Sequence, residues 1–176
     1  MITDVLEGND VLGILPTGTG KSLCYQLPAR ILGGTTLVVS PLISLMVDQV
    51  KQLKASGFKA VTAMNSFMDQ PERSAVLKNL HKYSLVYISP EMLQNDWLQQ
   101  RLNRIDVNLF VIDEAHCISQ WGHEFRTDYL KLHQTIEDLG HPTVMALSAT
   151  ATPDVQQDIR EKLRLPHMKK KNLSDG

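Results

Sequence analysis

Two short stretches carry residue types suited to handling a phosphate chain. "PTGTGKS" supplies Pro16, Thr17, Gly18, Thr19, Gly20, Lys21 and Ser22. Glycines let backbone N–H groups close around phosphate oxygens without Cβ clashes. A lysine beside them reaches the outer phosphates, and the following hydroxyl offers an oxygen to Mg²⁺. The second stretch, "FVIDEAH", ends an apolar run in adjacent carboxylates, Asp113 and Glu114. An acid there holds Mg²⁺ through water, and its neighbour orients or deprotonates an attacking water. Each stretch has a bland alternative: a glycine-rich turn with an incidental lysine, or a helix N-cap with a first-turn acid. The strict loop pattern also wants glycine at position 15, where this chain has Leu15. Together the two stretches favour nucleoside triphosphate hydrolysis with Mg²⁺, and Lys21, Asp113 and Glu114 as the catalytic set.

These residues need elements to position them. Short apolar runs at 11–15, 35–40, 59–64, 84–89, 109–113 and 143–148 read as buried strands. Between them most segments have helical spacing, as where Leu42, Leu45, Met46, Val50 and Leu53 fall on one face. Alternating strand and helix implies an α/β fold, a mainly parallel sheet with helices on both faces. Ligands in such sheets bind at the carboxyl ends of the strands. "PTGTGKS", "SPLIS", "MNS", "SPEM", "DEAH" and "SAT" each follow one strand, so six polar signals converge on one edge.

The chain has 176 residues, 43% hydrophobic and 21% charged, which suits one well-buried core. With 18 Lys+Arg against 19 Asp+Glu the net charge is −1, so any nucleic-acid contact must be local. The N-terminus lacks a signal-peptide pattern, and no apolar run nears the roughly 20 residues that cross a bilayer, so a cytoplasmic protein is expected, nucleoid-associated if bacterial. Cys24 and Cys117 read as buried reduced thiols. The spacing of His116, Cys117 and His123 matches none of the usual paired zinc patterns. Residues 166–176, with "KKKNLSDG" at the end, read as a solvated basic tail after a domain of residues 1–165.

The row "DEAHCISQWGHEFRTDY", with "PTGTGKSLCYQLPA", "VVSPLISLMVDQV", "YISPEML" and "ALSATAT" in this order, resembles the first motor lobe of RecQ-family ATP-dependent DNA helicases. The resemblance covers nearly all of residues 2–165 and implies a RecA-like P-loop NTPase lobe. It makes Lys21 and Ser22 part of Walker A, Asp113 and Glu114 part of Walker B, and Ser148 and Thr150 part of the motif linking hydrolysis to movement. By the same resemblance, Gln120, Trp121, His123, Phe125 and Arg126 fall in the aromatic-rich loop by which the family senses single-stranded DNA. Ser40, Pro41, Ser89 and Pro90 fall in segments that grip the DNA backbone, although both Ser-Pro pairs are also ordinary helix starts. Thr127 stands where many relatives carry Pro, and Thr19 interrupts their triple glycine.

The resemblance implies single-stranded and partly duplex DNA as partners, and a second RecA-like lobe, outside this chain, that completes the ATP site. The family's adenine-reading glutamine is expected just upstream of Met1. Two other readings stand beside it: a non-enzymatic nucleotide-binding module, and a P-loop kinase for a small metabolite. Against the kinase, nothing in the sequence supplies an acceptor-binding lid.

Overall fold

The computed structural model describes residues 1–15 and 21–172. Among the described residues, seven strands form one sheet: β1 (Val11–Ile14), β2 (Thr35–Val39), β3 (Val61–Met64), β4 (Leu85–Ile88), β5 (Val107–Ile112), β6 (Thr143–Ser148) and β7 (Lys169–Asn172). Their spatial order is β3-β4-β2-β5-β6-β1-β7, and every described pairing is parallel. The described α-helices are α1 (Ile2–Leu6), α2 (Leu23–Ile31), α3 (Ile43–Ala55), α4 (Gln70–Lys78), α5 (Asp96–Leu102), α6 (Leu132–Asp138) and α7 (Pro153–Leu163). The expected α/β fold with helices on both faces is observed, with seven strands in the sheet where six were expected.

Successive residues of a strand point to opposite faces, so a strand buried on both sides feeds two cores. In β5, Leu109 and Val111 enter one cluster while Phe110 and Ile112 enter the other. Val5, Tyr25, Ala29, Met46 and Leu53 from α1, α2 and α3 close the first cluster. The second is closed by Val76, Leu98, Leu102, Ile136, Val155, Ile159 and Leu163 from α4 to α7. Gly13 in β1 permits one close approach, since a Cβ there would meet the Met1 side chain at 2.8 Å.

Two expectations are corrected. The residues expected as a free tail contain β7, which pairs with β1 through Val11↔Lys169 to Ile14↔Asn172. Three consecutive lysines hide that strand in sequence, but an edge strand needs only its backbone in the ladder, and charged side chains there stay solvated. Met168 just before it is buried against the core. On α3 the apolar face is narrower than expected: Met46 and Leu53 are buried and Val50 is partly so, while Leu45 is exposed. Among the described residues, no helix is long and apolar enough to cross a membrane.

Candidate active site

The strand ends are joined into one edge by hydrogen bonds that run past the regular ladders. Leu15 donates its N–H to Ser148 O (2.9 Å), Asp113 to Val39 O (2.9 Å), Ser40 to Ile88 O (3.1 Å) and Ser89 to Met64 O (3.1 Å). Residues remote in sequence are thereby set side by side, because parallel strands deliver every following loop to the same end of the sheet.

At the centre lies Lys21, just before the Ser22 N-cap of α2. Its Nζ stands 2.7 Å from Asp113 Oδ1 and 3.1 Å from Glu114 Oε1. The three side chains are 17–18% exposed, sheltered but open to the cavity. Burial pushes the Asp113 carboxyl up, and Lys21 beside it offsets this only in part. The Lys21 ammonium, which burial alone would lower, is held above its ordinary value by Asp113 and then Glu114. The contact is an ion pair, because a single ammonium touches two carboxylates. The trio then carries an excess negative charge. Hard oxygen donors from Asp113 and Ser22, with that unbalanced charge, fit a Mg²⁺ ion.

Glu114 adopts a left-handed conformation, φ 53° and ψ 46°, where a side chain costs roughly 1–3 kcal/mol. It caps the 3₁₀ turn Ala115–Ile118, whose four residues are all buried. Tyr129 donates its hydroxyl to Asp113 O at 2.8 Å, fixing the backbone of the pair. His116 Nδ1 lies 2.9 Å from Ser148 Oγ, and that hydroxyl donates to Thr150 O at 2.9 Å. The carboxylate segment is therefore wired to the "SAT" segment by a buried contact between non-adjacent loops.

Beyond the turn, the loop changes character. Trp121 is 80% exposed; Gln120, His123 and Arg126 are exposed, and Phe125 is half-buried. The loop's stem is nevertheless ordered: Arg126 N–H donates to Cys117 O at 2.8 Å and Trp121 N–H to Ser119 Oγ at 3.1 Å. Gly122 is required there, since a Cβ would meet His116 O at 2.8 Å. The His123 ring stacks on His116 at 4.7 Å, and His116 Nε2 lies 3.6 Å from both Glu114 and Glu124. Donor atoms of His116, Cys117 and Glu124 come within 4.8 Å of one another. Cys117 is a poor metal ligand as it stands, because burial pushes its thiol up to about 11.

Ser40 is buried, and its Oγ accepts from Leu42 N–H at 3.3 Å, with Pro41 half-buried beside it. Ser89 and Pro90 are buried and open the 3₁₀ turn Pro90–Gln94 instead of an α-helix. Pro16, Thr17, Gly18, Thr19 and Gly20 lie outside the described residues.

Lys21, Ser22, Ser40, Asp113 and Glu114 surround a cavity of about 330 Å³ together with Tyr25, Leu45, Met46, Gln49 and Tyr87. Sequence reasoning missed that second group. Tyr25 and Tyr87 hydroxyls meet at 3.0 Å, and Gln26 Nε2 donates to Gln49 Oε1 at 3.0 Å. Burial raises both tyrosine pKa values, keeping this wall neutral. A tyrosine inside "LVYI" was the available signal, since a strand otherwise aliphatic buries a hydroxyl only where it finds a partner.

The DEAD/DEAH box helicase family matches residues 1–159 of the chain. The probable ATP-dependent DNA helicase RecS of Bacillus subtilis (strain 168) is 53% identical over 95% of this chain and 34% of its own length. ATP-dependent DNA helicase RecQ of the same organism is 48% identical over 90% of this chain and 27% of its own length. ATP-dependent DNA helicase Q5 of Mus musculus is 46% identical over 92% of this chain and 17% of its own. The chain thus spans about a third or less of these relatives. Among solved structures, the helicase domain of Pyrococcus furiosus Hef superposes with a TM-score of 0.74 at 22% identity, over 97% of this chain and 36% of that one, a likeness of fold. The acids at the end of β5, the lysine they hold and the match over residues 1–159 agree: this chain belongs to the DEAD/DEAH box helicase family and resembles its RecQ-type members.

Proposed function

We propose that this chain is the first motor lobe of a RecQ-type ATP-dependent DNA helicase, binding Mg²⁺–ATP and single-stranded DNA along the strand-end edge. The observation that carries the reading is Lys21 Nζ held 2.7 Å from Asp113 and 3.1 Å from Glu114. Such a lysine is preset for phosphate: nucleotide oxygens replace the carboxylates as its partners, and Asp113 and Glu114 are released for other work. Ser22 and Asp113 would hold Mg²⁺, which when bound offsets the phosphate charge. Glu114 orients the attacking water and accepts its proton. Residues 16–20, outside the described residues, complete the phosphate-binding motif in this reading.

Coupling to DNA follows from the contacts of His116. Its ring joins Ser148 on one side and stacks on His123 of the exposed loop on the other, so displacement of that loop is felt at the carboxylates. Trp121 and Phe125 offer faces for base stacking, and Arg126 a guanidinium for phosphate. Pro41 lies along the backbone path, Ser40, Ser89 and Pro90 being buried and positioning those segments from beneath, and Thr150 joins Ser148 in transmitting motion. A second lobe supplies the remaining charge stabilisation, typically on the order of 10³ to 10⁵ in rate.

The test is ATP turnover with and without single-stranded DNA, on this chain and on one extended through a second lobe. The chain alone is expected to bind Mg²⁺–nucleotide weakly, to turn over very slowly and to unwind nothing. The extended protein should be stimulated by DNA. Turnover by the single lobe at the extended protein's rate, abolished by Lys21→Ala, would overturn the two-lobe mechanism. Nucleotide binding without turnover in the extended protein would favour a non-enzymatic module.

A further inference from the structure

Away from the ATP cavity, α4 and α5 enclose a second hollow of about 280 Å³, lined by Gln70, Arg73, Ser74, Leu77, Trp97 and Arg101. Its chemistry is one-sided. Two guanidinium groups, an amide and a hydroxyl face it beside an indole, and no carboxylate is among the lining residues. The neighbouring acid Asp69 is turned to other use, its carboxylate accepting from Glu72 N–H at 2.9 Å as the cap of α4.

Arg73 is held in place. Its Nη2 donates to Met68 O at 3.1 Å, and its guanidinium carbon lies 5.9 Å from the centre of the Trp97 ring. Its Nε is shut from solvent and has no hydrogen-bond partner among the described residues. Trp97 is 38% exposed, far more than a core tryptophan, and Arg101 lies one turn further along the same helix.

Position gives the hollow its meaning. Arg73 and Trp97 sit in the first turns of α4 and α5; α4 follows β3, and α5 follows β4 after the 3₁₀ turn Pro90–Gln94, on the side of the sheet from which Ser40, Ser89 and the carboxylates also leave their strands. Leu77 and Arg101 lie about 6 Å further down those helices, at 1.5 Å per residue. We propose that this groove is a contact for single-stranded DNA that carries the strand past the motor edge and down the outer flank of α4 and α5. Trp97 stacks a base, and Arg73 and Arg101 take the flanking phosphates, the pairing of aromatic platform and cationic track used on single strands. The inference rests on the DNA-motor reading but uses none of its residues.

Fluorescence anisotropy with oligothymidylates separates the two. One oligomer of about 8 nucleotides fits a single footprint, and one of about 20 reaches beyond it. The protein is expected to bind the longer strand more tightly. Arg101→Glu should erase most of that gain, about fivefold or more, while leaving the short strand within about twofold, and should flatten the salt dependence of the long strand. Trp97→Phe should keep the gain and Trp97→Ala lose it. Long-strand affinity unchanged in Arg101→Glu would overturn the groove and leave the motor reading standing. Equal losses for a duplex of the same length would also overturn it, since a duplex offers charge without free bases. Failure of every oligomer to bind would overturn both.

Discussion

The carboxylate turn and the aromatic loop are neighbours in sequence, yet they are built on opposite principles. From Asp113 to Ser119 the chain is buried or nearly so, with Asp113 bonded to Lys21 and Tyr129 and His116 Nδ1 in contact with Ser148. From Gln120 to Arg126 the backbone is anchored at its stem, while the side chains stand mostly in solvent. The first arrangement holds its polar groups still, as electrostatic catalysis would require. The second leaves faces free to meet a large, variable ligand. His116 belongs to both, with Ser148 on one nitrogen and His123 on its face.

The largest way to test the contrast is chemical. In a protein extended through a second lobe, Glu114→Gln is expected to lower ATP turnover by about 10² to 10⁴ while leaving nucleotide affinity intact, as general-base removal does. Lys21→Ala should lower affinity itself. Equal affinity losses in both variants would mean that Glu114 binds nucleotide rather than acting on water.

Thermal stability should divide the regions next. Phe110→Ala, at a residue with no exposed surface, should cost about 3–5 kcal/mol. At roughly 2–4 °C per kcal/mol for a chain of this size, that lowers the melting temperature by about 10 °C. Trp121→Ala should stay within about 0.5 kcal/mol of the parent. A large melting shift for Trp121→Ala would identify it as a packing residue and remove the basis for a sensor.

A subtler test asks what the loop does for the carboxylates. Trp121→Ala in the two-lobe protein is expected to leave basal ATP turnover nearly unchanged and to reduce stimulation by single-stranded DNA, stacking being worth roughly 1–3 kcal/mol per base. Phe125→Ala should act in the same direction with some loss of stability, since that ring is half-buried. Stimulation that persists in both variants would separate the loop from sensing.

The smallest effect is a rate of labelling. With its thiol pushed up to about 11, Cys117 is expected to resist iodoacetamide near pH 8, where only about a thousandth is thiolate, and Cys24 to react first. The sign follows from linkage. A group whose folded pKa lies above its ordinary 9.0 holds its proton more tightly when folded, so its contribution to stability is lost as pH rises from about 9 towards 11. Rapid native labelling of Cys117 would show that the carboxylate turn opens as readily as the loop beside it.

Much of this molecule was legible before its coordinates. Apolar runs such as "LFVID" have too little length for a helix and too few polar residues for a one-sided strand, so a strand buried on both faces was the physical solution. The order of strand-end motifs then placed Lys21, Asp113, Glu114, Ser148 and the loop residues on one edge, because parallel strands all end at the same side. Local chemistry of this kind is written in adjacent residues. What tertiary structure alone decided are relations between residues far apart: Lys21 shared by two acids 92 and 93 positions on, Tyr25 meeting Tyr87, His116 meeting Ser148, and Arg73 turned toward Trp97. The lysine-rich β7 belongs with them, because its place in the sheet depends on the free backbone of β1 and leaves no mark in its own side chains. Periodicity reports which face of an element is buried; it carries no record of which other element will cover it, and that choice is made only when the whole sheet closes its two cores.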